Sequence, residues 1–378
     1  MEPLDDILSR SKDTKLKTLN LSYMHLDKLP NLTDFEWVTE LDISHNELSF
    51  LMNLPPKLEK LEAQQNVLEE EIHFDIPISI THLNVSHNKL HSIFDGSMFP
   101  NLTFLQMNSN KITEFAFPPN IKMADISSNL ISDLDIFPES LHSLDCSYNT
   151  LQVLSGLNHN LVVIDFSNNG IYIFPDFSNC PEITCIRGTR TKVSSINYLP
   201  PKLKKISMSY CAIDEINCAL PLQLKVLHIG HNTLIEMPEL PPFIEEVLLN
   251  DNMISELRKI PASVEKLNVS NNLLLEIPNY LKHRIFKELD YSGNRFDSGD
   301  ELTDSEDDDF WSGYRNSQKN IHVNTYSVHG KWNHLYPTYR WTTDHTHSVT
   351  SCSYKSSGKM GENNPNHVSY GNKRIVVL

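Results

Sequence analysis

Val38-Thr39-Glu40-Leu41-Asp42-Ile43-Ser44-His45-Asn46-Glu47-Leu48 decides the fold. It reads apolar, two polar, apolar, polar, apolar, two polar, Asn, polar, apolar. The same spelling returns in Ile80…Leu83-Asn84-Val85-Ser86-His87-Asn88-Lys89-Leu90 and in Val264…Leu267-Asn268-Val269-Ser270-Asn271-Asn272-Leu273-Leu274. Leu41 and Ile43 alternate with polar neighbours, which predicts a short strand with one buried face. Asn46 follows where the chain must turn inward. Its side chain carries both a carbonyl and an amide, so it can satisfy backbone groups of the adjacent coil that would otherwise be buried unpaired. One copy cannot bury its own apolar face. Stacked copies can, as a solenoid with a parallel sheet along its concave side.

Counting the Asn position along the chain gives Met24, Asn46, Asn66, Asn88, Asn110, Asn129, Asn149, Asn169, Thr191, Cys211, Asn232, Asn252, Asn272 and Asn294. These are fourteen repeats between Leu16 and Phe296, with steps of 19 to 22 residues, a period in the leucine-rich repeat range. At a strand spacing of about 4.8 Å the stack extends roughly 60–70 Å. Thr191 offers a hydroxyl in place of the amide and Cys211 only a thiol, so residues 186–213 are expected to be the loosest part of the ladder. The opposite side of each repeat is rich in proline, as in Leu54-Pro55-Pro56-Lys57-Leu58, Phe117-Pro118-Pro119-Asn120-Ile121 and Leu240-Pro241-Pro242-Phe243-Ile244. Proline fixes φ near −65° and removes a donor, so the convex side is expected to be extended or polyproline-like.

The spelling Leu-Pro-Pro-x-Leu-x-x-Leu-x-Val-x-x-Asn-x-Leu resembles the short-repeat leucine-rich proteins of bacterial type. That group includes the effectors that pathogens place inside host cells, often with a short helical N-terminal cap, and similar repeats occur in large DNA viruses. The resemblance covers residues 2–296. Some of those effectors carry a C-terminal ubiquitin-ligase domain with a catalytic Cys. Here one Cys, Cys352, follows the last repeat, in the polar stretch Thr350-Ser351-Cys352-Ser353-Tyr354, and the ligase motif does not carry over.

Outside the repeats, residues 1–15 read as a helical cap, with Leu4, Ile7 and Leu8 on one face and acidic residues in the first turn. Residues 297–309 form an acidic linker, in which Thr303 and Ser305 precede a block of carboxylates. Residues 310–378 are polar and aromatic and are expected to be largely disordered, with strand fragments near 321–328 and 374–378. The formal net charge of −16 over 378 residues argues against a nucleic-acid partner and favours a protein or peptide with a basic patch. No run of about 18 apolar residues exists, so no membrane span is expected. The acidic start does not read as a signal peptide, and the six Cys are scattered. Both point to reduced thiols and an intracellular, cytoplasmic protein, in the host cytoplasm if the source is a pathogen or virus. The Asn-x-Ser matches at Asn20, Asn84 and Asn268 read as by-products of the repeat spelling.

Two columns of concave side chains are candidates for binding. Between the core positions of successive strands lie Asp125, Asp145 and Asp165, followed by Arg187. At strand spacing the three carboxylates repel, which predicts an electronegative groove for a basic partner. One position earlier lies an apolar column, Phe104, Met123, Ser143, Val163 and Cys185, where other repeats carry charge, with Tyr148 and Tyr210 flanking the same face. Apolar and aromatic groups beside charges compose protein-binding hot spots. His45 and His87 stand two strand spacings apart, roughly 10 Å, too far to share a metal. No Gly-rich phosphate loop and no Gly-x-Ser-x-Gly occurs, so neither a cofactor nor a small-molecule substrate is expected. The sequence therefore reads as a non-enzymatic protein-interaction scaffold. The alternatives are an effector-type ubiquitin ligase with Cys352 as nucleophile, or a regulatory subunit that docks on a phosphatase or kinase.

Overall fold

A computed structural model describes residues 3–69, 76–282 and 284–296. The acidic linker, the aromatic tail, Thr303, Ser305 and Cys352 lie outside the described residues. Within them, one parallel sheet of fourteen strands runs from Thr18–Asn20 to Glu288–Asp290, each strand pairing with the next repeat's. The chain is a leucine-rich repeat solenoid. Each strand of this sheet is three residues long, with its middle residue turned into the core. Leu41, Leu61, Leu83, Leu105, Leu144, Ile164, Ile206 and Leu267 occupy that position and are all buried, and each lies in register with the middle residue of the neighbouring strand. The second core position follows two residues later. Gly188 stands there between Phe166 and Met208, whose side chains fill the space that a Cβ on Gly188 would take.

The residue before each ladder position adopts the left-handed conformation through thirteen repeats, from Tyr23 to Asn271, with φ between 53° and 59°. Non-glycine residues pay about 1–3 kcal/mol for this geometry. It persists because each of these N–H groups donates to a carbonyl of the next repeat, as His45 does to Gln64, Tyr148 to Ser167 and Tyr210 to Gly230.

The ladder asparagines then close each turn. Asn149 accepts the N–H of Ile131 at 3.0 Å and donates to Ile126 O at 3.0 Å and to Cys146 O at 3.1 Å. It thus pairs backbone groups of its own repeat and the preceding one. Asn46, Asn66, Asn88, Asn110, Asn129, Asn169, Asn232, Asn252, Asn272 and Asn294 bond in the same way.

The proline-rich side is not uniformly extended. Each Pro-x-x-Leu unit closes a tight turn, the N–H of Leu203 bonding Pro200 O at 3.1 Å and that of Val264 bonding Pro261 O at 3.2 Å. Beyond the ladder, His91–Asp95 pairs in parallel with Lys111–Ala116, and Ser195–Ile196 with Glu215–Ile216. These flank strands form because stacked extended segments bring their N–H and C=O groups level. A single 3-10 turn, Gly96–Met98, and a one-turn helix, Asn279–Lys282, complete this side among the described residues.

At the N-terminus, helix α1 (Leu4–Thr14) follows Pro3, carries Asp5 and Asp6 in its first turn and ends at Lys15 in the left-handed region. Leu4, Ile7 and Leu8 are half-buried against the core. Trp37 Nε1 donates to Ser11 Oγ at 3.5 Å, and the Lys15 ammonium lies 3.4 Å from the Trp37 ring centroid. Among the described residues no helix is long and apolar enough to cross a membrane.

Candidate protein-binding face

The third residue of each strand points off the concave face, and most carry a short polar side chain for a local reason. Asp125 Oδ1 accepts the N–H and hydroxyl of Ser127 at 3.1 and 2.6 Å, and Asp145 Oδ1 those of Ser147 at 3.0 and 2.6 Å. Asn20, Asp42, Asn84, Asn268 and Asp290 bind the serine two residues on in the same manner. The Asx-x-Ser spacing is therefore a turn lock that ends the strand. The Asn-x-Ser matches belong to it, a role that reading them only as repeat by-products missed.

Strand register sets Asp125 against Asp145, Asp145 against Asp165 and Asp165 against Arg187. At about 4.8 Å and an effective dielectric near 20, two such charges repel by roughly 3–4 kcal/mol. Arg187 Nη1 reaches Asp165 Oδ2 at 3.9 Å, with only 15% and 14% of the two side chains exposed. Burial raises all three carboxyls. Asp145 is pushed up to about 8 by burial first and then by the Asp165 and Asp125 charges, against the Ser147 hydrogen bonds. In Asp125 burial outweighs the Ser127 bonds, and in Asp165 it outweighs Ser167 and the Arg187 charge. The three aspartates expected to form an electronegative groove stand in register on adjoining strands. The aspartates are half-buried, which is why all three carboxyls lie above the ordinary aspartate range.

The apolar column lies where the sequence places it, at the first strand position, with Phe104 against Met123, Met123 against Ser143 and Ser143 against Val163. These four are half-buried. Cys185, expected in the same exposed column, is buried. The column gains a member at its other end, where the His82 ring stacks on Phe104 with centroids 5.7 Å apart.

Tyr148 and Tyr210 occupy the left-handed position at the rim of this face and are exposed. Tyr210 is one layer of a longer stack. The Arg190 guanidinium lies 5.1 Å from its ring centroid, and His231 stacks on it at 3.9 Å. His231 Nδ1 lies 3.4 Å from Asp251 Oδ2, and Asn271 Nδ2 donates to Asp251 Oδ1 at 3.1 Å. Arg190 and His231 were not among the sequence candidates. Their signal is positional, since each immediately precedes the ladder residue.

No family model matches the chain. Over 252 residues it is 24% identical to osteomodulin of Bos taurus, covering 55% of each chain. Over 153 residues it is 31% identical to lumican of Coturnix japonica, covering 39% of this chain and 40% of lumican. The chain spans about half the length of the curated relatives it matches. Among solved structures it resembles YopM from Yersinia enterocolitica WA-314, with a TM-score of 0.61 and 28% identity over 76% of this chain and 72% of that one. YopM of Yersinia pestis, described as a leucine-rich effector protein, aligns at 25% identity with a TM-score of 0.60, covering 77% of this chain and 82% of that one.

Proposed function

We propose that the chain is a non-enzymatic scaffold that binds a partner protein or peptide on the concave face, along the strip from Phe104 to Tyr210. The observation that carries this reading is the half-buried run Phe104, Met123 and, past Ser143, Val163 on four consecutive strands beside Tyr148, which is 46% exposed. A rigid sheet holds these groups in place before binding, which lowers the ordering cost of association. Asp42, Glu62 and the aspartate column favour a partner segment carrying Lys or Arg. The likeness to YopM supports an effector-like role in a host cell. Five described cysteines with free thiols, three of them buried, suit a reducing cytoplasm.

Affinity capture from a host-cell cytosolic lysate tests the reading, with three proteins compared: wild type, Phe104→Ser/Met123→Ser/Tyr148→Ala, and the convex-side control Ile136→Ser/Phe243→Ser. The expected result is a partner retained by wild type and control and lost with the concave variant. Retention by the concave variant together with loss from the control overturns the reading.

A further inference from the structure

We infer that the partner segment on the concave face presents Asp or Glu side chains over residues 183–213, where Arg187, Arg190 and Lys205 stand with Tyr210. This rests on the concave-face reading above and names the chemistry of one end of that partner. Residues 183–213 hold six cations, Arg187, Arg190, Lys192, Lys202, Lys204 and Lys205, and no Asp or Glu, in a chain whose formal net charge is −16. The fold sorts the six. Lys202 pairs with Glu182 at 2.6 Å, and Lys192 and Lys204 lie off the strands. Arg187 ends the strand Cys185–Arg187, and Lys205 begins the next, Lys205–Ser207. Both alternate with the buried Ile186 and Ile206, so they leave the sheet on its concave side. Arg190 holds the left-handed rim position of the same repeat as Arg187.

The carboxylates nearby are poor counter-ions for this group. Register sets Arg187 between Asp165 and Ser207, and Lys205 between Cys185 and Val226. Asp165 is therefore the one acid in register with either cation. It lies 3.9 Å from Arg187, and its burial disfavours the charged form. Glu246, two strands beyond Lys205, is already bonded to His228 at 2.8 Å. Tyr210 adds an exposed ring, with the Arg190 guanidinium 5.1 Å from its centroid and His231 stacked at 3.9 Å. Arg and Tyr are the residue types that dominate binding energy at interfaces, and a guanidinium can donate two parallel bonds to one carboxylate.

The size of the patch decides the class of anion. Its two strands span about 10 Å. Acids close it on both sides, Asp165 on one and Glu246 and Asp251 on the other. One or two carboxylates of a peptide fit this width. A nucleic-acid strand, with a charge about every 3.4 Å, would run onto the flanking acids. A segment whose Lys or Arg faces Asp125 to Asp165 and whose Asp or Glu faces Arg187 and Lys205 can lie in one direction only.

The test pans a phage-displayed library of random dodecapeptides on the full chain, on Arg190→Glu/Lys205→Glu and on Phe104→Ser/Met123→Ser/Tyr148→Ala. On wild type the recovered peptides are expected to carry Asp or Glu about threefold above the unselected library, and the charge reversal is expected to abolish that enrichment. No acidic enrichment, or the same enrichment on the reversed chain, overturns the inference. Acidic peptides retained by the Phe104 variant support this site and contradict the apolar strip. Peptides lost from that variant but not enriched in acid support the strip and overturn this site. One recovered acidic peptide, titrated against wild type, keeps the test decisive if the reversed chain does not fold. Its binding should weaken about tenfold between roughly 50 and 500 mM salt. Salt-independent binding, or displacement by an equal concentration of oligothymidylate, overturns the assignment.

Discussion

Thr191 and Cys211, one repeat apart, donate to the same backbone carbonyl: Thr191 Oγ1 reaches Gly188 O at 3.0 Å and Cys211 Sγ reaches it at 3.2 Å. In the regular ladder a carbonyl such as Ile126 O receives the same two bonds from the amides of Asn129 and Asn149. The two substitutes therefore keep Gly188 O doubly paired, although each carries one hydrogen where an amide carries two. The acceptor side is weaker, because sulfur is a poorer acceptor than an amide oxygen.

Restoring the amide should stabilise the chain. Cys211→Asn is expected to raise stability by about 1 kcal/mol, read as an increase in the urea midpoint. A lower midpoint would mean that the thiol's packing outweighs the missing acceptor.

Removing an amide should do the reverse. Asn149→Ala and Asn252→Ala are each expected to cost roughly 1–3 kcal/mol, since each leaves buried backbone groups of two repeats without a partner. Asn252 accepts the N–H of Leu234 and donates to Ile229 O and Leu249 O. Unchanged thermal midpoints in both variants would contradict the ladder's role.

Gly188 takes the second core position of its repeat without a side chain, and the volume is filled by Phe166 and Met208. Gly188→Ala is expected to lose about 1–3 kcal/mol through overpacking, and Phe166→Leu in the same chain should recover part of it. Additive losses in the double variant would show that the two residues do not share the space.

The repeat period and the ladder asparagines were legible because the same residue types recur at a fixed spacing. The left-handed rim was not legible, because His45, Gln65, Tyr148 and Arg190 have nothing in common as residue types. Their geometry comes from hydrogen bonds between repeats rather than from propensity. The aspartate column was readable as a series of charges. Its burial was not, since that depends on how closely neighbouring turns wall in the concave face. The flank strands His91–Asp95 and Lys111–Ala116 also escaped notice, because one repeat's extended segment becomes a strand only when the next lies level with it.

Ser147 tunes the carboxyl beside it. Its hydroxyl and N–H hold Asp145 lower than burial alone would. Ser147→Ala removes the hydroxyl, so the Asp145 midpoint should move up, further above the ordinary aspartate range. A downward move in carboxyl-detected NMR would show that the hydroxyl instead favours the protonated form.

The most direct test of the concave-face account is photo-crosslinking in a whole-cell lysate, with a photoreactive amino acid placed singly at Phe104, Met123, Tyr148 and Val163 and, for comparison, at Ile136 and Phe243. The account predicts one common adduct from the four concave positions and none of that mass from the two convex positions. The same adduct formed from Ile136 and Phe243, and absent from all four concave sites, would contradict it.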